Sequence, residues 1–403
     1  MAVTDAASTQ VDEQRVRDAL EQLVSGHDTS DAVGFLGAQY DLGLAWVHFP
    51  EGYGGLGLSP KLQNLVNARL AEVHAPSPYA RNPIGYGMGA PTIVTHGSEE
   101  QKQRYLRPLF TGEEIWCQLF SEPGAGSDVA GLSSRAVRDG DEWVVNGQKV
   151  WTTLAHLSRW GMLVVRTDPD QPKHKGLTYF VVDMEAPGVE VRPLRQMTGD
   201  AEFNEVYFTD VRIPDSERLG DTGEGWGVSL TTLMNERVSI GGGVAPRGSG
   251  HIATAVKAYH DHRDARGERH RSALKDQLMS LWVRAEVHRL TNMRASDNRK
   301  MGTPGPEGSV GKLASAELNK EITSFTIDLL GPEGLLYDDY TMRRPDTAAE
   351  GRTPQRAFLR MRANSIEGGT TEVMRNILGE RVLGLPGDIR VDKDRPWIEV
   401  PRN

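Results

Sequence analysis

The sequence predicts an α+β, multidomain chain in three successive parts: helical, then strand-built, then helical. Apolar residues recur at helical spacing up to about Phe110 and again after Gly225-Trp226, whereas from about Trp116 to Leu219 they fall in short runs bounded by turn residues. Strands and helices do not alternate one for one and no fixed-period repeat is present, which argues against a doubly wound nucleotide fold. A length of 403 residues suits two or three domains of ~100–200 residues each.

Val16, Leu20, Leu23 and Val24 lie on one face of a first helix, and helical patterns continue through 61–73 and 99–109. The loop Phe49-Pro-Glu-Gly-Tyr-Gly-Gly-Leu-Gly57 interrupts them with the glycines a tight turn demands. In the strand-built part, Trp143-Val-Val, Asn146-Gly147 and Gln148-Lys-Val-Trp-Thr read as a hairpin with a type I′ turn. Further strands are predicted at 162–166, 177–184, 189–191 and 205–208. The last helical part runs to about Gly384, punctuated at 302–308 and 331–334.

Composition narrows the function class. With 38% hydrophobic and 25% charged residues the chain reads as an ordinary globular protein rather than a disordered or fibrous one. No apolar run approaches the ~18 residues of a membrane span. Residues 1–9 lack the basic-then-apolar order of a secretion signal, so the expectation is cytoplasmic. The one cysteine, Cys117, permits no internal disulfide and fits a reducing compartment. Its setting, Glu114-Ile-Trp-Cys-Gln-Leu-Phe120, suits a small buried hydrophobe better than a catalytic thiol. A net charge of −9 with no basic run offers no footing for nucleic acid.

Two segments carry chemistry. In Ser121-Glu-Pro-Gly-Ala-Gly-Ser-Asp128 the glycines let backbone N–H groups approach an anion or a flat ring. A plain surface turn would also account for it, and a G-x-G-x-x-G fingerprint is absent. Val150-Trp-Thr-Thr153 offers an aromatic face and two hydroxyls on a strand, although Trp151 could equally fill a sandwich core.

Both segments resemble the acyl-CoA dehydrogenase family, and other pieces follow in the family's order. These are Gly97-Ser-Glu-Glu-Gln-Lys-Gln-Arg-Tyr-Leu106, Glu205-Val-Tyr-Phe-Thr-Asp-Val-Arg-Ile-Pro214, Gly223-Glu-Gly-Trp226, and Ile366 to Pro386 ending Asn376-Ile-Leu-Gly-Glu-Arg-Val-Leu-Gly-Leu-Pro. The resemblance covers nearly everything from about Phe49 onward. It implies an N-terminal helical domain (1–115), a middle antiparallel β domain (116–222) and a C-terminal four-helix bundle (223–403), with FAD held between the last two. It further implies that Gln118, Phe120, Ser121, Gly126 and Ser127 line the flavin, and that Trp151 and Thr153 stack on and hydrogen-bond its ring. Thr370, Thr371 and Glu372 would touch the cofactor near a helix start, where a helix N-terminus favours a pyrophosphate. Ser127, Arg237 and Gly369 would contact substrate, although Arg237 also suits a structural salt bridge.

The chain departs from the family in two places. Where many members carry Arg-x-x-Phe-Gly, this chain has His262-Arg-Asp-Ala-Arg-Gly-Glu-Arg-His270, with arginines but no Phe-Gly. Leu329-Leu-Gly-Pro-Glu-Gly-Leu335 resembles the later loop that receives the adenine end of a neighbour's FAD, with Gly331 kept and Pro332 in place of a glycine. The second departure is the base. The glutamate common before the final Gly-Thr is replaced by Gly368, and Glu367, one position out of register, is a second candidate base. Isovaleryl and long-chain members place their base before an arginine on a C-terminal helix instead, and Glu236-Arg237 matches that arrangement.

The implied reaction is α,β-dehydrogenation of an acyl-CoA thioester. A carboxylate takes the α proton, the β hydrogen leaves as hydride to the flavin, and the Gly368 N–H helps hold the thioester oxygen. Electrons would pass to an electron-transfer flavoprotein, and the assembly would be a homo- or heterotetramer. The missing glutamate also admits a non-catalytic FAD-binding partner subunit of a heteromeric enzyme, and a flavin oxidase or monooxygenase of the same fold is a further alternative. No metal site is expected.

Overall fold

The computed structural model describes residues 2–241, 244–263, 268–300, 307–346, 353–387, 389, 392 and 394–401. The chain divides into two compact units, one of Met1–Pro193, Phe203–Asn235 and Asp392–Asn403, the other of Leu194–Glu202 and Glu236–Val391.

The first unit begins with helices α1 (Ala2–Gly26), α2 (Ala32–Asp41), α3 (Gln63–Glu72), α4 (Pro78–Arg81), α5 (Ala90–His96) and α6 (Glu99–Thr111). Helix α6 starts where the sequence signals it: Ser98 accepts from the Gln101 N–H while Gln101 reaches back to the Ser98 N–H, a reciprocal cap. Eight strands follow: β1 (Trp116–Leu119), β2 (Arg135–Asp139), β3 (Glu142–Thr153), β4 (Trp160–Arg166), β5 (Leu177–Asp183), β6 (Val189–Pro193), β7 (Phe203–Pro214) and β8 (Arg218–Leu219). They form one sheet in the order β6-β7-β3-β2-β4-β5-β8, with β1 added alongside β4. Pairing is antiparallel except β1 with β4 and a single β2–β4 pair, which are parallel.

Every residue of β4 is buried, and the strand's two faces serve two cores. Trp160, Met162 and Val164 join Tyr105, Leu106 and Phe110 of α6, whereas Leu163 and Val165 join Phe180, Val182 and Val206. The period of two in a strand thus feeds both cores from one run of apolar residues. Cys117 lies in the second core, where burial pushes its thiol up to about 12.

The expected hairpin at Asn146-Gly147 does not form. Residues 142–153 are one continuous strand, and Asn146-Gly147 is an irregularity in its pairing with β7. Asn146 donates to the Asp210 carboxylate at 2.9 Å and accepts from the Asp210 N–H at 3.0 Å, which holds the bulge open. Gly147 is required there, since a Cβ would lie 2.2 Å from Ser134 Oγ. The actual turn is Gly140-Asp141, between the paired residues Asp139 and Glu142, with Gly140 at φ +66°.

Helix α7 (Gly225–Gly241) leads into α8 (His251–His262), α9 (Glu268–Lys300), α10 (Glu307–Leu330), α11 (Pro354–Met361) and α12 (Thr371–Ile377). In the second unit α8, α9 and α10 share a core of Ile252, Tyr259, Leu278, Ile322 and Phe325. Helices α11 and α12 pack on α10. The 194–202 segment belongs with these helices. Asp200 pairs with Arg356, Glu202 with Arg360 at 3.3 Å, and Tyr337 donates to the Thr198 carbonyl at 2.6 Å.

Candidate functional site

The glycine loop 121–128 is held rigidly from below and left open above. Glu122 and Ala125 exchange two backbone hydrogen bonds across Pro123-Gly124, closing a tight turn. The Val150 N–H donates to the Ser121 carbonyl at 2.9 Å, tying the loop to β3. Beneath it the fully buried Lys149 donates to Glu122 at 2.9 Å and to the Phe120 carbonyl at 3.1 Å. Glu122 also accepts from the N–H groups of Ser133 at 2.6 Å and Ser134 at 2.9 Å. Burial opposes its charge, yet Lys149 and these donors outweigh it and hold the carboxyl below its ordinary value. At the far end Lys173 donates to both oxygens of Asp128 at 3.0 Å and pairs with Asp392.

Above, Gly126 and Ser127 are exposed, Ser121 and Gln118 are half-buried, and Phe120 is buried edge-on to Tyr179. Gly124 and Gly126 are not in the left-handed region, and a Cβ on either would meet nothing within 4 Å. Neither turn geometry nor internal packing requires them. Bare backbone facing open space suits a flat ligand that must come close.

Trp151 lies beside this loop and breaks two rules at once. Its side chain is 56% exposed, and its φ of +60° is rare for any residue but glycine. It sits where the β3–β7 register shifts between Lys149 and Thr152, with its ring edge-on to Phe203 at 5.8 Å. Leu154 is also left-handed, at φ +54°. Strain of this kind costs on the order of 1–3 kcal/mol per residue and collects where a ligand is bound. Between the two, the Thr152 hydroxyl is buried with no hydrogen-bond partner among the described residues, and Thr153 is half-buried opposite Phe203. Bare glycine backbone, an offered indole face and an unsatisfied hydroxyl fit an isoalloxazine plate with polar edges.

The second cluster lies in the second unit, on the segment between α11 and α12. Gly368 at φ +61° and Gly369 at φ +92° are both left-handed, and a Cβ on Gly369 would strike Met374 Cε at 2.7 Å. The Lys312 ammonium, from α10, donates to the Asn364 carbonyl at 2.7 Å and to the Gly369 carbonyl at 2.5 Å. A Cβ built on Gly368 would stand 3.8 Å from Glu236 Oε1 and 3.8 Å from Lys312 Cε. The Glu236 carboxylate therefore borders the position where the common glutamate would branch.

Glu367 is engaged elsewhere. Arg360 bonds it at 2.9 Å while also pairing with Glu202, and Asn364 donates to it at 2.6 Å. Thr370 caps α12 by accepting from the Val373 N–H at 3.1 Å, and the buried Thr371 donates to Glu317 at 3.1 Å. Glu372 is exposed on the first turn of α12. Gly331 begins a single turn, 331–335, at φ +62°. Arg237 follows Glu236 on α7, with its side chain outside the described residues, as are residues 264–267 of the arginine stretch.

Apart from Gly331, on its own turn, and Arg237, whose side chain lies outside the described residues, the predicted residues form two groups, 118–127 with 151–153, and 236 with 367–372. Sequence reasoning missed Glu122, Lys149, Lys312 and Arg360, which hold both groups in shape. The proline after Glu122 and the lysine before Val150-Trp151 carry no motif of their own.

Residues 6–113, 117–211 and 223–383 match the N-terminal, middle and C-terminal domain models of acyl-CoA dehydrogenases. The acyl-CoA dehydrogenase FadE34 of Mycobacterium tuberculosis is 39% identical over 86% of this chain, and the chain spans only 45% of that relative's length. Acyl-CoA dehydrogenase IpdE1 of the same organism is 36% identical over 86% of each chain. Among solved structures, the Tcur3481-Tcur3483 steroid ACAD superposes with a TM-score of 0.70 at 25% identity, covering 94% of both chains. The ChsE4-ChsE5 complex from Mycobacterium tuberculosis gives 0.68 at 27% identity, covering 94% of this chain and 98% of the other. The chain therefore belongs to the acyl-CoA dehydrogenase family of FAD-dependent oxidoreductases.

Proposed function

We propose that this chain α,β-dehydrogenates an acyl-CoA thioester to the 2-enoyl-CoA, with Glu236 as the base and an electron-transfer flavoprotein as acceptor. One observation carries the reading of the base: Glu236 Oε1 lies 3.8 Å from the Cβ position of Gly368, while Glu367 is bound by Arg360 and Asn364. FAD, when bound, supplies the acceptor for the β hydride. Gln118, Phe120, Ser121, Gly126 and Ser127 would line it, Trp151 would stack on its ring and Thr153 would hydrogen-bond it. Thr370, Thr371 and Glu372 would touch it near the start of α12, and the loop at Gly331 would receive the adenine end of a neighbouring subunit's FAD. The Gly368 N–H donates to the thioester oxygen as charge builds there, which acidifies the α carbon. Glu236 removes the α proton, while Ser127, Arg237 and Gly369 hold the substrate. The residue ranges 1–115, 116–222 and 223–403 are proposed as its domains, supported by the spans of the three family models.

The steroid enzyme among its structural neighbours extends the candidate substrates from straight and branched acyl-CoAs to bulky steroid thioesters. Anaerobic titration with such a panel, watching the flavin absorbance, is the test. Bleaching by one class is expected. A yellow protein that no acyl-CoA bleaches would overturn the reading and favour the inert-partner alternative, which the two-chain ChsE4-ChsE5 neighbour also motivates.

Assembly is supported by α9, which exposes Met279, Val283, Val287 and Leu290 along one face. A tetramer, homomeric or with a related chain, would cover it, and light scattering should show an oligomer. The lone buried cysteine agrees with a cytoplasmic setting, and among the described residues no helix is long and apolar enough to cross a membrane.

A further inference from the structure

Lys312 is a half-buried cation whose two hydrogen bonds go to neutral carbonyls, those of Asn364 and Gly369. These carbonyls bracket the four residues that include Gly368. Because Gly368 and Gly369 are both left-handed glycines, the loop has no side chain of its own to fix its path there. The ammonium supplies that constraint from a different helix, 52 residues away in sequence from one acceptor and 57 from the other.

Carbonyl oxygens solvate the ammonium without neutralising it, so its charge acts on the surrounding carboxylates. Burial disfavours that charge and lowers the Lys312 pKa, against the pull of four carboxylates: Glu367 from the loop, Glu236 from α7, Glu317 from its own helix and Glu372 from α12. Glu367 is held by Arg360 and Asn364. Glu317 is held by Lys320 at 3.0 Å and by Thr371, with Arg375 also acting on it. Glu372 is exposed to water. Glu236 and the Lys312 methylene next to nitrogen flank the same point, each 3.8 Å from it.

We propose that Lys312 is a positioning residue of the dehydrogenation site, fastening the loop that aims the Gly368 N–H and setting a positive charge beside the Glu236 carboxylate. This rests on the reading of Glu236 as the base. With the charge in place, Glu236 stays ionised, and so able to accept the α proton, at a lower pH than it otherwise would. One side chain thereby serves both ends of the enolising step, the acceptor of the proton and the donor to the oxygen.

The test uses the FAD-loaded protein and three variants, with FAD content and melting temperature measured on each. Lys312→Gln keeps a hydrogen-bond donor and loses the charge, Lys312→Met loses both, and Lys312→Arg keeps both. In single-turnover flavin reduction, Lys312→Gln should move the acid limb of the pH–rate profile upward by ~1 unit, with KM changed less than about twofold. Lys312→Arg should stay near the wild-type profile. Amide hydrogen exchange of the 364–370 peptide, which needs no turnover, should quicken at least several-fold in Lys312→Met. An unmoved acid limb in Lys312→Gln, or unchanged exchange in Lys312→Met, overturns the proposal. Should Lys312→Gln not fold, a shifted acid limb in Lys312→Arg with full FAD content overturns it equally. Glu236→Gln separates the two readings: normal reduction in that variant sinks the base assignment itself, before any Lys312 result is considered.

Discussion

The two groups of site residues are built on opposite plans. Around 121–128 and 151–153 the backbone is clamped by strand pairing and a buried ion pair, and the surface above it is kept bare. Around 364–372 no ladder exists. A glycine pair follows whatever path distant side chains impose, with Lys312 across it and Arg360 on Glu367. The first plan suits a large planar cofactor that stays put through many turnovers. The second suits chemistry, where one N–H and one carboxylate must be aimed and a few side chains can retune them.

The comparison breaks most decisively at Glu236. Changing it to Gln keeps the volume and removes the proton acceptor, so flavin reduction by acyl-CoA should slow ~10²–10⁴-fold while FAD stays bound. Stopped-flow absorbance of the wild-type and variant proteins reads this directly, and rates within a few-fold of each other would remove Glu236 from the mechanism.

Next is the clamp. Glu122→Gln would leave the Lys149 ammonium buried without its partner, a change worth about 3–5 kcal/mol. Thermal unfolding should show a large loss of stability and gel filtration a loss of flavin. Because Glu122 is held below its ordinary value in the folded protein, its stabilisation is present above the normal carboxylate range and disappears as pH falls below it. Flavin retention should therefore drop below about pH 4. Retention independent of pH down to 3 would show that the loop does not depend on this pair.

A smaller effect is expected at the open surface. Trp151→Ala removes ring stacking worth about 0.5–1.5 kcal/mol, so FAD affinity should fall up to ~10-fold. Equilibrium binding of FAD to the stripped protein would measure it, and unchanged affinity would mean the exposed indole serves something else. Least affected should be turnover in Glu367→Gln. The variant loses the Arg360 pairing, so its melting temperature should fall by a few degrees while flavin reduction stays within about threefold. A collapse in reduction rate there would exchange the roles of the two glutamates.

Much of the first plan was legible in the sequence, and little of the second. The switch of apolar period marked the helical and strand-built parts, and Ser121 to Asp128 with Trp151 marked the open surface, because each of those signals is carried by a short run of adjacent residues. Asn146-Gly147 misled for a physical reason. The pair suits a tight turn, but Asp210, 64 residues on, supplies the hydrogen bonds that make it a bulge in a through-running strand. The neighbourhood of Glu236 and Gly368 was foreshadowed only by family likeness. The roles of Lys312 and Arg360 arise from contacts that no local pattern encodes.

Strand β3 has one more consequence, for the order in which the molecule matures. The strained turn at Trp151 exists only while Thr152 faces Asn204 and Thr153 faces Phe203, partners some fifty residues ahead in the chain. Contacts so distant close late, after the helices and the β2–β3 hairpin have had time to form locally. The surface at Trp151, proposed to hold the flavin, is then expected among the last features to appear. On the proposed flavin site, a chain that has acquired its yellow colour has thereby registered its β3 and β7 strands correctly, and the cofactor would act as the molecule's own inspector of a finished sheet.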